Sequence, residues 1–144
     1  MKIDAALLAL SGRITPAWQA SAGYTYQEGE IRTATSAAPA GRQLEKLPRH
    51  QASLWSRYDF TPALGVGLGV VHQSSQFATI SNAVRLPAFT RIDAAAYLTL
   101  SERVAFQLNV ENLTDTGYYA SAHTDNNILP GAPLSAKVTA RVKF

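Results

Sequence analysis

Leu134 to Phe144 reads L-S-A-K-V-T-A-R-V-K-F. Its even positions, Leu134, Ala136, Val138, Ala140, Val142 and Phe144, are apolar, and its odd positions from Ser135 to Lys143 are polar or charged. Side chains alternate across a strand with period two, so this stretch has one apolar and one wet face. Lys137, Arg141 and Lys143 on the wet face exclude a strand buried on both sides. The stretch ends on an aromatic residue of its apolar face, the pattern of the closing strand of an outer-membrane barrel. Val138, Ala140, Val142 and Phe144 then form its outer-membrane assembly signal. An amphipathic strand of a soluble β protein has the same alternation, so the rest of the chain must separate the two.

Working outward, six further stretches read as strands. Val104 to Glu111 sets Val104, Phe106, Leu108 and Val110 against Gln107, Asn109 and Glu111. Phe89 to Leu100 sets Ile92, Ala94, Ala96, Leu98 and Leu100 against Arg91, Asp93 and Thr99. Ala63 to Ser75 alternates Leu64, Val66, Leu68 and Val70 with Gly65, Gly67 and Gly69. Glycines along one face weaken a strand and need a reason; a wall curving past something bulky inside supplies one. His50 to Phe60 sets Ala52, Leu54, Tyr58 and Phe60 against Gln51, Ser53, Arg57 and Asp59. Ala17 to Glu30 sets Trp18, Ala20, Ala22, Tyr24 and Tyr26 against Gln19, Ser21, Thr25 and Gln27. Ile3 to Ile14 is apolar on both faces between Ala5 and Leu10, so its register is unreadable.

The connections alternate in length. Thr15–Trp18, Thr61–Leu64 and Ser101–Val104 are short turns, whereas Ile31–Pro48, Phe77–Pro87 and Thr114–Pro133 are long, polar and aperiodic. Tight periplasmic turns with extended outer loops are the asymmetry of membrane barrels. Trp18, Phe60 and Phe144 lie by the short turns, and Phe89, Tyr118 and Tyr119 by the long loops, an arrangement like two interfacial girdles. The expected fold is all-β: a partial, antiparallel up-and-down transmembrane β-barrel of about seven strands.

Composition removes other classes. The net charge of +3 comes without a basic run, which argues against nucleic acid, and cysteine is absent, which removes thiolate and Cys-zinc chemistry. No window is long and apolar enough for a transmembrane helix. The patch Ala5–Leu10, preceded by Asp4 and followed by Arg13, reads as strand and not as a leader. His50, His72 and His123 lack metal-ligand spacing. There is no G-x-S-x-G, and Gly65–Gly69 has strand period and not that of a phosphate loop. No enzyme is expected.

N-V-E-N-L-T-D at Asn109–Asp115, Tyr118-Tyr119 and P-G-A-P at Pro130–Pro133 resemble the C-terminal signature of TonB-dependent outer-membrane receptors. D-N-N-I-L-P-G-A-P at Asp125–Pro133 is similar to the ferric-siderophore branch, its catecholate receptors in particular. S-G-R-I-T-P-A-W (Ser11–Trp18), S-A-G-Y-T-Y (Ser21–Tyr26) and V-R-L-P-A-F-T-R-I-D (Val84–Asp93) are similar to the same family, so the resemblance covers essentially the whole chain. It implies part of a barrel of about 22 strands with a plugged lumen. It also implies uptake of ferric siderophores, driven by the inner-membrane TonB complex through an N-terminal box. Implied partners are outer-membrane lipid, the ferric siderophore, the plug and remaining strands of the same receptor, the TonB complex and the barrel assembly machinery. No cofactor is implied; the siderophore is cargo.

Single-chain bacterial barrels have even strand numbers of about eight or more. An open sheet in lipid leaves unpaired backbone groups costing several kcal/mol each. Residues 1–144 are therefore expected to be a C-terminal segment of a receptor barrel, a fragment from which the plug domain is absent. Ferric catecholates are anionic and aromatic, so a receptor wants cations and rings at its outer mouth. Arg42, Phe77, Arg85, Tyr118, Tyr119, His123, Asp125, Asn126 and Asn127 are the candidate ligand-binding residues, with Arg32, Lys46 and Arg49 nearby. Arg57, Asp59, Arg91, Asp93, Glu111, Lys137 and Arg141 are the candidate lumen polar groups, with Arg91/Asp93 and Glu111/Lys137 expected in networks. Two other readings stay open: a small self-contained outer-membrane barrel with a structural or adhesive role, and a soluble calycin-like binding barrel. The second requires apolar inward faces, where this chain has charges.

Overall fold

Alternating strands joined by tight turns can hydrogen-bond only as an antiparallel meander, and the computed structural model has that form. It describes residues 2–36 and 38–144; Met1, and Ala37 of the first long loop, lie outside the described residues. The strands are β1 (Lys2–Thr15), β2 (Trp18–Glu30), β3 (His50–Asp59), β4 (Leu64–Gln73), β5 (Gln76–Phe77), β6 (Arg85–Leu86), β7 (Phe89–Thr99), β8 (Val104–Glu111), β9 (Tyr119–Thr124), β10 (Asn127–Pro130) and β11 (Ser135–Val142). Seven of them form one sheet in the order β1-β2-β3-β4-β7-β8-β11. β1 and β11 stand at its two ends, so the barrel is not closed within this chain. Each long strand and each short turn falls where the alternation places it.

Pairing settles the register that β1 hides. Leu8 lies opposite Tyr24 and Leu10 opposite Ala22, so Ala6, Leu8 and Leu10 share the face of the β2 tyrosines. Ile3, Leu7 and Arg13 take the other face, and a register shift follows between Arg13 and Thr15. From β2 to β11 of the seven-stranded sheet the even residues form an apolar band, broken by Ser56 and giving way to His50, His72 and Thr90 at the loop end; Leu54, Leu68 and Val138 on it are 50%, 52% and 69% exposed. A single layer of sheet cannot bury such a face against itself, and an apolar band of this extent marks a membrane or partner surface. Among the described residues the buried apolar side chains are Ile31, Ala38, Ala78, Leu86, Ala95 and Ala122. All except Ala95 belong to the long connections, so the dry core sits in the loops and not under the sheet.

The glycine stripe of β4 has a specific cause. Register places Trp55 beside Gly69, Arg57 beside Gly67 and Asp59 beside Gly65 on the inward face. The indole of Trp55 lies along the stripe: a Cβ on Gly67 would stand 2.5 Å from its Cζ2, and one on Gly69 2.6 Å from its Cε3. The bulky interior group is thus a side chain of the neighbouring strand. Arg57 crosses the bare strand to place its guanidinium 3.8 Å from the ring centroid of Tyr97 on β7. Gly67→Val is expected to destabilise the barrel by about 1–3 kcal/mol through overpacking, and Trp55→Ala in the same chain to remove part of that loss. Additive losses in denaturant titrations of the two single and the double variants would contradict this contact.

Two expectations need correction. The second and third long connections are not structureless, because β5 pairs with β6 and β9 with β10. Phe89 and Tyr118 do not belong to a lipid-facing girdle. Phe89 shares the inward face with Arg91, and Tyr118 stacks on it at 4.4 Å between centroids. The outward aromatics at the loop end are Tyr24 and Tyr26, with the Tyr24 hydroxyl 2.7 Å from His50 Nδ1. At the short-turn end Trp18 Nε1 donates to Ser56 Oγ at 2.8 Å, and Tyr58 packs edge-on to Phe60.

Candidate functional site

The three long connections leave the same end of the sheet and bind one another. The first holds the second through main-chain groups. Lys46 N–H donates to the Phe77 carbonyl at 2.9 Å, Gln43 N–H to Asn82 Oδ1 at 2.9 Å, and Asn82 Nδ2 back to the Gln43 carbonyl at 2.9 Å. Arg42 donates to the Ile80 carbonyl at 3.3 Å, and Ile80 N–H donates to Glu45 at 2.9 Å. The second holds the third through a small dry cluster of Ala78, Leu86 and Ala122, flanked by Val84 and Ile128. Beside it, the hydroxyls of Thr79 and Ser81 donate to the two carboxylate oxygens of Asp125 at 2.8 and 2.7 Å.

These contacts sort the candidate ligand residues. Arg42 and Asp125 are engaged in joining loops. Arg85 is exposed, with its guanidinium 5.7 Å from the Phe77 ring on the β5–β6 ladder. Tyr119, His123, Asn126 and Asn127 are exposed on the β9–β10 hairpin, whose turn is Asp125-Asn126. Arg49 is tied to Glu28 at 2.5 Å. Asp125→Ala removes two charge-assisted bonds, each worth about 1.5–3 kcal/mol, and is expected to uncouple the second and third loops. Spin labels at Ala83 and Asn126 should then show a broadened distance distribution; an unchanged one would contradict the lock.

Under the third loop the expected Arg91/Asp93 network extends to Asn112, Asp115 and Tyr118, residues to which sequence reading gave no part in it. Asn112, 1% exposed, has a backbone φ of 54°. Its Nδ2 donates to the carbonyls of Thr116 and Ala132, each at 3.0 Å, and its Oδ1 accepts from Thr116 N–H at 2.8 Å. Asn112 N–H donates to Asp93 Oδ1 at 2.9 Å, and Arg91 donates to Asp93 Oδ2 at 2.9 Å and to the Tyr118 hydroxyl at 3.1 Å. Asp115, also at positive φ, accepts from Leu134 N–H at 2.9 Å. Tyr118 lies flat against Gly131, where any β-carbon would overlap its ring. The asparagine and aspartate of N-L-T-D therefore pin both ends of the loop to the first inward layer of the sheet. An asparagine directly after the last alternating residue of β8, a residue type that tolerates positive φ, was the available signal, but two of its partners, Asp93 and Ala132, lie 19 and 20 residues away.

The inward face carries the candidate lumen groups in two settings. Arg57–Asp59 at 3.0 Å and Arg91–Asp93 at 2.9 Å are ion pairs. Glu111 faces Ser135 and Lys137 faces Asn109 across β8–β11, and no Glu111–Lys137 ion pair occurs among the described residues. Arg141 is exposed on the same strand. Near the short-turn end the inward face carries a half-open groove of about 490 Å³ lined by residues that include Arg13, Gln19, Ser21, Trp55, Arg57 and Tyr97.

An apolar outward face, a charged inward face and interlocked loops at one end suit the wall of a membrane barrel. Among known structures, the closed form of the ferric-catecholate import receptor Fiu of Escherichia coli superposes with a TM-score of 0.87 at 32% identity, over 99% of this chain and 21% of that one. The siderophore receptor PiuA of Acinetobacter baumannii gives 0.82 at 32% identity, over 96% and 21%. In sequence, the catecholate siderophore receptor Fiu of E. coli K12 is 35% identical over 149 residues, covering 99% of this chain and 20% of the relative. The chain thus spans about a fifth of the length of the curated relatives it matches. Those relatives are receptors and not enzymes, and members of the family are outer-membrane proteins. Residues 3–113 match the family described as TonB dependent receptor-like, β-barrel, and the chain belongs to that family.

Proposed function

We propose that residues 1–144 are the C-terminal barrel segment of an outer-membrane receptor that imports ferric siderophores, catecholates among them. The observation that carries this is the division of one sheet into an apolar face and an ion-paired inward face, capped by joined loops bearing Arg85, Phe77, Tyr119, His123, Asn126 and Asn127. The relatives named as siderophore and catecholate receptors support the substrate class. The outward even residues face outer-membrane lipid. The rest of the full-length receptor supplies the remaining strands, which pair with the β1 and β11 edges, and the plug that fills the lumen. The TonB complex acts through the N-terminal region. The assembly machinery reads Val138, Ala140, Val142 and Phe144, all on the lipid face. The two free edges argue against a small self-contained barrel.

The test is ⁵⁵Fe uptake by iron-starved source cells with and without the gene that encodes this segment. Deletion should abolish uptake from at least one ferric catecholate, and a block of the TonB complex should do the same. Unchanged uptake from catecholate, hydroxamate and carboxylate complexes alike would contradict it.

A further inference from the structure

We propose that the inward face of β1, from Ile3 to Ala9, is a docking surface for aliphatic side chains of the plug domain; the inference rests on the receptor reading above. Register puts Ile3, Ala5, Leu7 and Ala9 on that face, opposite Gly29, Gln27, Thr25 and Gly23 of β2. The stripe is apolar throughout and runs roughly 20 Å at the rise of a strand. No other strand of the seven-stranded sheet has one. In their loop halves β2, β3, β4, β7, β8 and β11 turn Gln27, Gln51, Gln73, Arg91, Glu111 and Lys137 inward. Polar inward faces suit a wet lumen, whereas a strand apolar on both faces suits dry contact on each.

Flanking strands do not supply that contact. Leu54 has Ala22 on one side and Val70 on the other, and is still 50% exposed. Leu7 has Thr25 of β2 at its flank and is 76% exposed. A strand paired to the free edge of β1 lies beside this side chain and not over it. Cover for Leu7 therefore comes from above the sheet, from the lumen, which the plug of the full-length receptor fills. The stripe also continues an apolar contact made within the chain. Leu44 and Leu47 of the first outer loop lie on Gly29, where a Cβ would stand 2.5 Å from Leu44 Cδ1 and 2.8 Å from Leu47 Cδ2. Gly29 is the cross-strand partner of Ile3, so the underside of that loop runs on into the stripe. Thr25 and Gly23 keep the β2 flank low and uncharged, so an apolar surface can settle there without desolvating a charge. An anionic ferric complex finds neither cation nor ring on these residues.

The test uses the full-length receptor in outer-membrane vesicles, with the photo-crosslinking residue p-benzoylphenylalanine in place of Leu7. Irradiation should join position 7 to peptides of the plug, identified by mass spectrometry, and the same residue in place of Leu8, on the opposite face, should join none of them. Attachment only to the strand beside β1, only to the first outer loop, or to no polypeptide would overturn the docking surface. Leu7→Asp puts a charge into the contact. In proteoliposomes it should raise the swelling rate in a trisaccharide by about tenfold or more over wild type. Gln51→Glu, a charge at a polar inward position, should stay within about twofold, and Leu7→Met, which conserves apolar bulk, should match wild type. Heat-modifiable mobility on gels reports folding of each barrel, and the cross-link decides where Leu7→Asp does not fold. A folded Leu7→Asp receptor that swells no faster than wild type would also overturn the surface. Plug cross-links in a wild-type protein that transports no ferric complex would instead overturn the cargo reading and leave the contact standing.

Discussion

Asn112→Ala is expected to release the third outer loop from the barrel. The side chain is buried, supplies two donors and one acceptor to Thr116 and Ala132, and holds φ at 54°. The three main-chain groups of Thr116 and Ala132 that lose their partner cost about 1 kcal/mol each, more where water does not reach them, and alanine lacks the local side-chain bonds that let asparagine tolerate a left-handed backbone. Partial relaxation leaves a net loss on the order of 4 kcal/mol, or about a thousandfold in the open population. Chymotrypsin applied to intact cells should then cleave at Tyr118 or Tyr119 far faster than in wild type. Asn112→Gly relieves the backbone alone and should remain cleavable, which separates lost hydrogen bonds from strain. Wild-type resistance in the alanine variant would show that the loop is held by something else.

Leu68→Arg is the second large effect. Leu68 lies mid-strand in β4 on the outward face, between Ser56 and Ala94, and is 52% exposed. In water, replacing a half-exposed leucine normally changes stability by no more than about 0.5 kcal/mol. At the midplane of a bilayer the same charge costs about 2–4 kcal/mol. Urea unfolding of the full-length receptor in phospholipid vesicles should therefore show a loss of that size, and Ser53→Arg on the inward face a much smaller one. Equal, small losses at both positions would remove lipid from the account of this face.

The strands were legible because period two survives in β2, β3, β4, β7, β8 and β11 whatever surrounds them. β1 was not, since Ala5 to Leu10 is apolar on both faces and only pairing with Tyr24 and Ala22 selects one. The β4 glycines announced a missing volume, but Trp55, which fills it, is fixed by cross-strand register and not by local sequence. The short strands β9 and β10 flank an Asp-Asn turn of a kind equally common in irregular loops. Of the candidate site, composition picked out the exposed Arg85, Phe77 and β9–β10 tip. It did not distinguish them from Arg42 and Asp125, whose partners lie 38 and 44 to 46 residues away. Phe89 and Tyr118 were placed by proximity to loops, whereas parity and the Arg91 bond turn them inward.

The central claim is that even residues of this sheet meet lipid and odd residues meet the lumen. The chain contains no cysteine, so single cysteines can be placed along β3 and β4 of the full-length receptor in outer-membrane vesicles and spin-labelled. Labels at Leu54, Leu68 and Val70 should relax strongly with oxygen and weakly with a water-soluble nickel chelate, and labels at Ser53, Val71 and Gln73 should show the reverse. Loss of the two-residue alternation, or its inversion, would contradict the placement of this chain in a membrane barrel.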